Sequence, residues 1–256
     1  MEVSLELVPR DISSLQEDAA LSLPYKAITC INIPDLPSFS IRSWEGCATV
    51  KTFLSPDTPL IPHLRARDFS LDNPFPLAGF FRENEISRTL VIAGDPVPGK
   101  PDKAGDNHTI GLIKKIKAEM PELEIYAGFD PYRTNIRYEL DYLAAKEKAG
   151  AAGFMSQPFF DLRLLELYAE YLEGKNVFWG ISPVLSESSK QYWESRNRAL
   201  FPRSFMPDLH WNINFTRQAM DYCKQNNFNL YLMPMKTEIK TYLSGIWPQR
   251  SLSEKT

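Results

Sequence analysis

Residues 124–158 read EIYAGFDPYRTNIRYELDYLAAKEKAGAAGFMSQP. Two short apolar runs, Glu124 to Phe129 and Ala152 to Pro158, enclose a stretch from Asn135 to Ala149 in which apolar residues recur with helical spacing. Gly150 follows that stretch at the position of a C-terminal helix cap. A strand, a helix and a second strand in this order predict a βαβ unit, and therefore a parallel sheet.

The same alternation continues along the chain in both directions. Eight strands in 256 residues are typical of a closed (β/α)8 barrel of the TIM type, and an open doubly wound sheet is the alternative. The other predicted strands are Val3 to Pro9, Ala27 to Ile33, Leu60 to Arg67, Thr89 to Gly94, Asn176 to Ile181 and Phe228 to Met233. The other clear helical patterns are Asn107 to Met120, Leu162 to Leu172, Phe215 to Gln225 and Thr237 to Ile246.

The chain is predicted to form one domain over residues 1–249, followed by a flexible C-terminal tail at 250–256. Two connections, Pro34 to Pro59 and Ser186 to His210, are unusually long. Long connections in compact folds are usually functional, and both follow strand ends at the face where barrels of this type build their active sites. We therefore expect these connections to border the site.

Composition and charge exclude several classes of function. The net charge of −3 and the scattered basic residues argue against binding of nucleic acid or anionic lipid. The N-terminus, MEVSLELVPRD, is acidic where a signal peptide would be basic, and no run of eighteen apolar residues is present, so we expect a cytoplasmic protein without membrane contact. The three cysteines and three histidines are isolated, so no metal site is predicted.

Glu6 is the strongest catalytic candidate in the sequence. Val3, Leu5 and Leu7 share one face of the first strand, which places Glu6 on the opposite face and, in a barrel, in the interior. A poorly solvated carboxyl group has a raised pKa and suits a general acid near neutral pH. The alternative is an exposed Glu at a strand edge.

Two further candidates stand at strand ends. Asp95 follows the fourth strand, and the loop after it, Pro96 to Gly105, contains glycines whose backbone amides could hold phosphate oxygens; the alternative is that this loop only caps the next helix. Gln157 ends the sixth strand, and its amide both donates and accepts, which suits the edge of a pterin or flavin ring.

These strand ends resemble the signatures of the methylenetetrahydrofolate reductase family, in order and at suitable separation, over residues 1–247. The resemblance is carried by five motifs: Glu6-Leu-Val-Pro, Pro62-His63-Leu64, Gly94-Asp95 with Gly99-Lys100-Pro101, the run from Ala149 to Asp161, and Gly180-Ile181-Ser182-Pro183.

The resemblance implies an oxidoreductase that reduces 5,10-methylenetetrahydrofolate, or a related methylene-pterin, to the 5-methyl form by hydride transfer. Glu6 matches the family's proton donor. Asp95 and Gln157 match the residues that hold the pterin, and Trp193 falls near an aromatic residue that stacks on the folate aryl group.

The resemblance also implies FAD, with NADH or NADPH as the electron donor. His63, Asp95 and Lys146 match flavin-side residues, and Arg133 is in a position to replace an arginine that flavin-dependent members carry where this chain has Ala93. Direct hydride transfer without flavin is the alternative. The expected partners are a small folate substrate and either a second copy of the chain or a redox subunit.

Two other functions stay open at this point. A pterin-dependent methyltransferase barrel also holds pterins with polar residues at strand ends but needs no redox cofactor. A non-catalytic folate-binding subunit of a redox complex would keep the barrel and lose the chemistry.

Overall fold

The computed structural model describes residues 1–95, 106–235 and 237–248 of the chain. Eight parallel strands close into a barrel in sequence order. The predicted (β/α)8 barrel is therefore confirmed, and the open sheet is wrong. The strands are β1 (Val3–Glu6), β2 (Cys30–Ile33), β3 (Leu60–Arg65), β4 (Arg88–Ile92), β5 (Glu124–Phe129), β6 (Gly153–Pro158), β7 (Val177–Ile181) and β8 (Asn229–Leu232).

Helices connect the strands on the outside of the barrel. The five helices predicted from periodicity are present, and the two long connections contain α2 and α7. The helices in the described ranges are α1 (Ile12–Ser22), α2 (Ser43–Lys51), α3 (Ala78–Glu83), α4 (Asp106–Glu119), α5 (Ile136–Lys148), α6 (Leu162–Tyr171), α7 (Glu187–Arg196), α8 (Leu209–Gln225) and α9 (Ile239–Ile246).

The strands are buried on both faces, which explains why their sequences read as nearly continuous apolar runs. The outer faces pack against the helices in one large apolar cluster. The inner faces form a separate cluster inside the barrel, to which seven of the eight strands contribute. Its buried members are Cys30, Ile61, Leu90, Tyr126, Met155, Phe178, Tyr231 and Met233.

The interior becomes polar near the C-terminal ends of the strands. Because barrel strands are tilted, side chains from alternate strands meet in one layer. Followed around the barrel, the strand register brings Glu6 of β1, His63 of β3, Gly128 of β5 and Gly180 of β7 into one such layer. A Cβ atom on Gly180 would lie 2.5 Å from both the Met233 Cε and a backbone oxygen, so this position requires glycine.

The N-terminal end of the barrel is closed by paired polar side chains. Arg88 forms ion pairs with Glu2 at 3.0 Å and with Glu124 at 2.8 Å. The Tyr126 hydroxyl donates to Glu124 at 2.8 Å, and the Glu2 backbone N–H donates to the Asn229 side chain at 2.7 Å. We call these five residues the polar plug.

Two sequence predictions are not tested by this architecture. The tail expected at 250–256 lies outside the described residues, and the single-domain assignment stays a prediction. Within the described ranges, no helix combines the length and the apolar character needed to cross a membrane.

Candidate functional site

Glu6 lies at the end of β1 and points into the barrel, as the two-residue period of the strand predicts. Glu6 is only 5% exposed to solvent, and the buried Tyr231 hydroxyl donates a hydrogen bond to the Glu6 Oε2. Burial raises the pKa of Glu6 to about 7, although the hydrogen bond from Tyr231 lowers it. At neutral pH this carboxyl group can therefore both donate and accept a proton.

His63 shares the layer of Glu6 and is equally buried. Its Nε2 lies 2.9 Å from the Asn32 Oδ1, and the Asn32 Nδ2 donates to the Ser4 Oγ at 2.8 Å. Burial lowers the pKa of His63 to about 3, so the imidazole is neutral at physiological pH.

Arg65 supplies a cation above this layer, and the sequence analysis missed it. The side chain is only 5% exposed; it donates to the Asp95 backbone oxygen at 2.7 Å and pairs with Asp68 at 3.3 Å. Gly94 has a φ of 80°, and a Cβ there would lie 2.8 Å from the Arg65 Nε, so glycine makes room for the guanidinium group. Strand period gave the signal: Arg65 follows His63 by two residues and shares its face.

Asp95 and Gln157 lie at the ends of β4 and β6, as predicted, and both are exposed. Within the described residues, neither the Asp95 carboxylate nor the Gln157 amide has a hydrogen-bond partner. We call this group of residues at the C-terminal ends of the strands, Glu6, His63, Arg65, Asp95 and Gln157, the mouth of the barrel. The Asp95 carboxylate and the Gln157 amide are therefore available to a ligand.

Lys146 and Arg133 both lie over the ring of Tyr142 on α5. The buried Lys146 Nζ donates to the Gly128 backbone oxygen at 2.5 Å and lies 3.7 Å from the centre of the Tyr142 ring. Arg133 pairs with the buried Glu139 at 3.1 Å and covers the same ring at 4.6 Å. Both cations, which the sequence predicted to hold the flavin, therefore take part in internal contacts between β5 and α5.

Trp193 also has a packing role. It lies on α7 and meets Phe160 edge-on, with ring centroids 5.4 Å apart. Phe160 in turn stacks on Phe201 at 4.4 Å. The indole thus belongs to a small apolar cluster beside the barrel, and its predicted contact with an aryl group of the substrate stays a prediction.

Two surface cavities lie away from Glu6 and His63. The larger, of about 810 Å³, lies between the start of α6 and the start of α8, and its lining includes Arg163, Arg203 and Trp211. The smaller, of about 450 Å³, lies beside α2 and is lined in part by Arg42 and Trp44.

Metal-ligating side chains do not cluster in the described part of the chain. No group of three or more His, Cys, Asp or Glu residues there has the arrangement of a metal site. The mouth residues therefore give no donor set through which a metal-dependent step can be derived.

Comparisons with known proteins identify relatives of the fold. No protein-family model and no curated protein matches the sequence. Among solved structures, 2,3-dimethylmalate lyase, a member of the PEP mutase/isocitrate lyase superfamily, is similar with a TM-score of 0.56 and 14% identity over 89% of this chain and 82% of that one.

Two further structures are similar. Oxaloacetate acetylhydrolase in complex with the inhibitor 3,3-difluorooxalacetate has a TM-score of 0.63 and 8% identity, over 95% of this chain and 78% of that one. The carboxyl transferase domain of Rhizobium etli pyruvate carboxylase, with pyruvate, has a TM-score of 0.56 and 12% identity, over 96% of this chain and 48% of that one. At these identities the likeness shows the fold alone.

These findings correct the resemblance to the methylenetetrahydrofolate reductase family. The similar structures named above are a lyase, an acetylhydrolase and a carboxyl transferase rather than reductases, and no family model supports the motifs. The predictions of an oxidoreductase and of methylenetetrahydrofolate reduction are therefore wrong, and the two folate-based alternatives are not supported either.

The prediction of FAD with NADH or NADPH is wrong for the same reason. In the structure, Lys146 and Arg133 contact Gly128 and Glu139, and the role that the resemblance gave them stays a prediction. The predicted Gly99-Lys100-Pro101 segment lies outside the described residues. Short motifs at strand ends recur in barrels because strand ends are where polar residues enter the site.

Proposed function

We propose that the protein is an enzyme that moves a proton to or from a small carboxylic acid bound in the mouth of the barrel, with Glu6 as the general acid–base. The observation that carries this proposal is a buried carboxyl group with a pKa of about 7 at the C-terminal end of the barrel. Proton transfer is most efficient when the catalytic pKa is near the working pH. Active sites of this fold lie at that same end.

The other groups of the mouth support a ligand of this class. Arg65 offers a nearly buried guanidinium group, which matches the geometry of a carboxylate. Gln157 offers an unpartnered amide that can both donate and accept. The proteins of similar fold carry dimethylmalate, oxaloacetate and pyruvate in their names or as bound molecules, and all three are small carboxylic acids.

A lyase or hydrolase reaction suits a single carboxyl group of this kind. In the cleavage of a hydroxy acid, ionised Glu6 accepts the hydroxyl proton while the adjacent carbon–carbon bond breaks and the hydroxyl carbon becomes a carbonyl. The bonding electron pair remains on the second fragment as an enolate, and Glu6 returns the proton to its carbon. Atoms and electrons balance within the substrate, so no oxidant or reductant is required.

The test is a proton-transfer assay in D2O, followed by NMR. Malate and 2,3-dimethylmalate report cleavage, and pyruvate reports deuterium entry at its methyl carbon. We expect wild-type protein to process at least one of them and Glu6→Gln to lose two to four orders of magnitude in rate. Glu2→Gln, which alters a carboxyl group of the polar plug, should keep the activity.

Two results would overturn the proposal. One is the absence of both cleavage and exchange with all three acids. The other is a rate for Glu6→Gln equal to that of wild-type protein, since the amide cannot supply the proton.

A further inference from the structure

We infer that His63 is a specificity-determining residue of the mouth: Asn32 fixes its imidazole as the Nε2–H tautomer, and the Nδ1 lone pair accepts a hydrogen bond from a hydroxyl or amine of the ligand. The inference rests on the proposed function for the location of the ligand. The state of the imidazole, however, follows from the protein alone.

The tautomer follows from a chain of three buried groups. The Asn32 Nδ2 donates to the Ser4 Oγ at 2.8 Å, which turns the Asn32 Oδ1 toward the His63 Nε2 at 2.9 Å. A carbonyl oxygen can only accept, so the hydrogen must be on Nε2. Nδ1 then carries the lone pair.

The layer geometry places the two functional groups side by side. Glu6 of β1 and His63 of β3 are neighbours in one layer, which Gly128 and Gly180 complete, so a ligand that reaches the Glu6 carboxyl also meets the imidazole. While Glu6 is protonated it offers a donor and His63 offers a fixed acceptor; once Glu6 is ionised, it takes the hydroxyl proton in the reaction proposed above. Such a pair recognises a ligand with an acceptor and a donor on neighbouring atoms, as in a hydroxy acid.

A neutral imidazole held this way orients the ligand rather than removing its proton. Burial keeps the pKa of His63 near 3, which makes it a weak base. Its hydrogen-bond partner is Asn32 from β2, Glu6 from β1 shares its layer, and Arg65 is two residues further along its own strand. Its contribution is therefore discrimination between ligands, because a buried acceptor left without a donor costs binding free energy.

The first measurement is the tautomer, by NMR of protein labelled with ¹⁵N-histidine. The chain offers internal references: the His108 Nε2 lies 3.1 Å from two backbone oxygens, which indicates Nε2–H, whereas the His210 Nε2 accepts from the Asn214 Nδ2 at 2.9 Å, which indicates Nδ1–H. His63→Phe identifies the His63 signals. We expect the Nε2–H pattern at neutral pH in wild-type protein and its loss in Asn32→Ala. The Nδ1–H pattern, or a doubly protonated ring, would overturn the inference.

The second measurement is selectivity between malate and succinate, which differ by one hydroxyl group. We expect wild-type protein to bind malate at least tenfold more tightly, and His63→Phe to lose this ratio while its succinate affinity is kept. His210→Phe, a surface control, should keep the ratio. Equal affinities in wild-type protein would overturn the inference. If neither acid binds, the ligand class of the proposed function is wrong, and the tautomer alone decides the role of His63.

Discussion

Carboxyl groups at the two ends of this barrel lie in opposite electrostatic environments. In the polar plug at the N-terminal end, Glu2 and Glu124 share the Arg88 cation. In the mouth at the C-terminal end, Glu6 is more deeply buried and has the Tyr231 hydroxyl as its hydrogen-bond partner. Burial without an ionic partner raises the pKa of Glu6 to about 7. One residue type therefore closes the barrel at one end and is ready for proton transfer at the other.

Pairing of a carboxylate favours stability, whereas burial without an ionic partner favours reactivity at the expense of stability. A paired carboxylate keeps its charge and contributes to folding, whereas an unpaired buried carboxyl group costs stability whenever it ionises. For His63, burial penalises the protonated form, so this residue costs stability when it gains a proton rather than when it loses one. The layer of Glu6 and His63 is expected to be the most pH-sensitive part of the described interior.

The largest expected effect concerns acidification and His63. Its pKa is lowered from 6.5 to about 3, so the stability it contributes is present above pH 6.5 and is lost as the pH falls through 3, by about 5 kcal/mol in total. His63→Phe should therefore lose less stability on acidification than wild-type protein. Urea unfolding between pH 6.5 and 4 measures the difference, and His210→Phe is the surface control. Parallel curves for His63→Phe and wild type would contradict the burial of a neutral imidazole.

The next effect has the opposite sign and concerns Glu6. Its pKa is raised from 4.5 to about 7, so the stability it contributes is present below pH 4.5 and is lost as the pH rises through 7, by about 3 kcal/mol in total. Glu6→Gln should become more stable than wild-type protein by that amount between pH 4.5 and 8. Urea unfolding at both pH values tests this, with Glu124→Gln as the control from the plug. A stability difference that does not change with pH would show that Glu6 titrates normally.

A smaller effect is expected at the plug. Arg88→Met leaves Glu2 and Glu124 without their shared cation and should lower the free energy of unfolding by about 1–3 kcal/mol, below the cost for a fully buried pair because Arg88 is 19% exposed. Unfolding at low and high salt measures it, and the loss should shrink in the presence of Glu2→Gln. The pH dependence assigned to Glu6 should be unaltered. A change in that dependence would mean that the two ends are coupled.

The smallest effect concerns the hydrogen bond from Tyr231. This bond favours the ionised form of Glu6, so Tyr231→Phe should raise the Glu6 pKa further. Titration of the ¹³C-labelled Glu6 carboxyl by NMR reports the shift. Tyr126→Phe, which removes the comparable hydrogen bond in the plug, should leave the Glu6 titration in place. A lower Glu6 pKa in Tyr231→Phe would argue that Tyr231 stabilises the protonated form instead.

Sequence reasoning failed where it relied on short motifs. Lys146 and Arg133 fitted a flavin site by their order in the chain, but the proteins of similar fold do not support a flavin, and the observed contacts of both side chains are with residues of β5 and α5. Arg65, which no motif included, lies in the mouth. A motif records spacing along the chain and carries no information about which face of an element a side chain occupies.

The sequence by itself determined the barrel and the inward direction of Glu6, because apolar runs and the two-residue strand period are local properties that survive in the folded chain. Only the tertiary structure decided which groups meet. Tyr231 lies 225 residues from Glu6 and reaches it because β8 pairs with β1 when the barrel closes. Asn32 meets His63 across two neighbouring strands by the same closure. Burial and partners set the pKa values, and both depend on contacts that no single stretch of sequence contains.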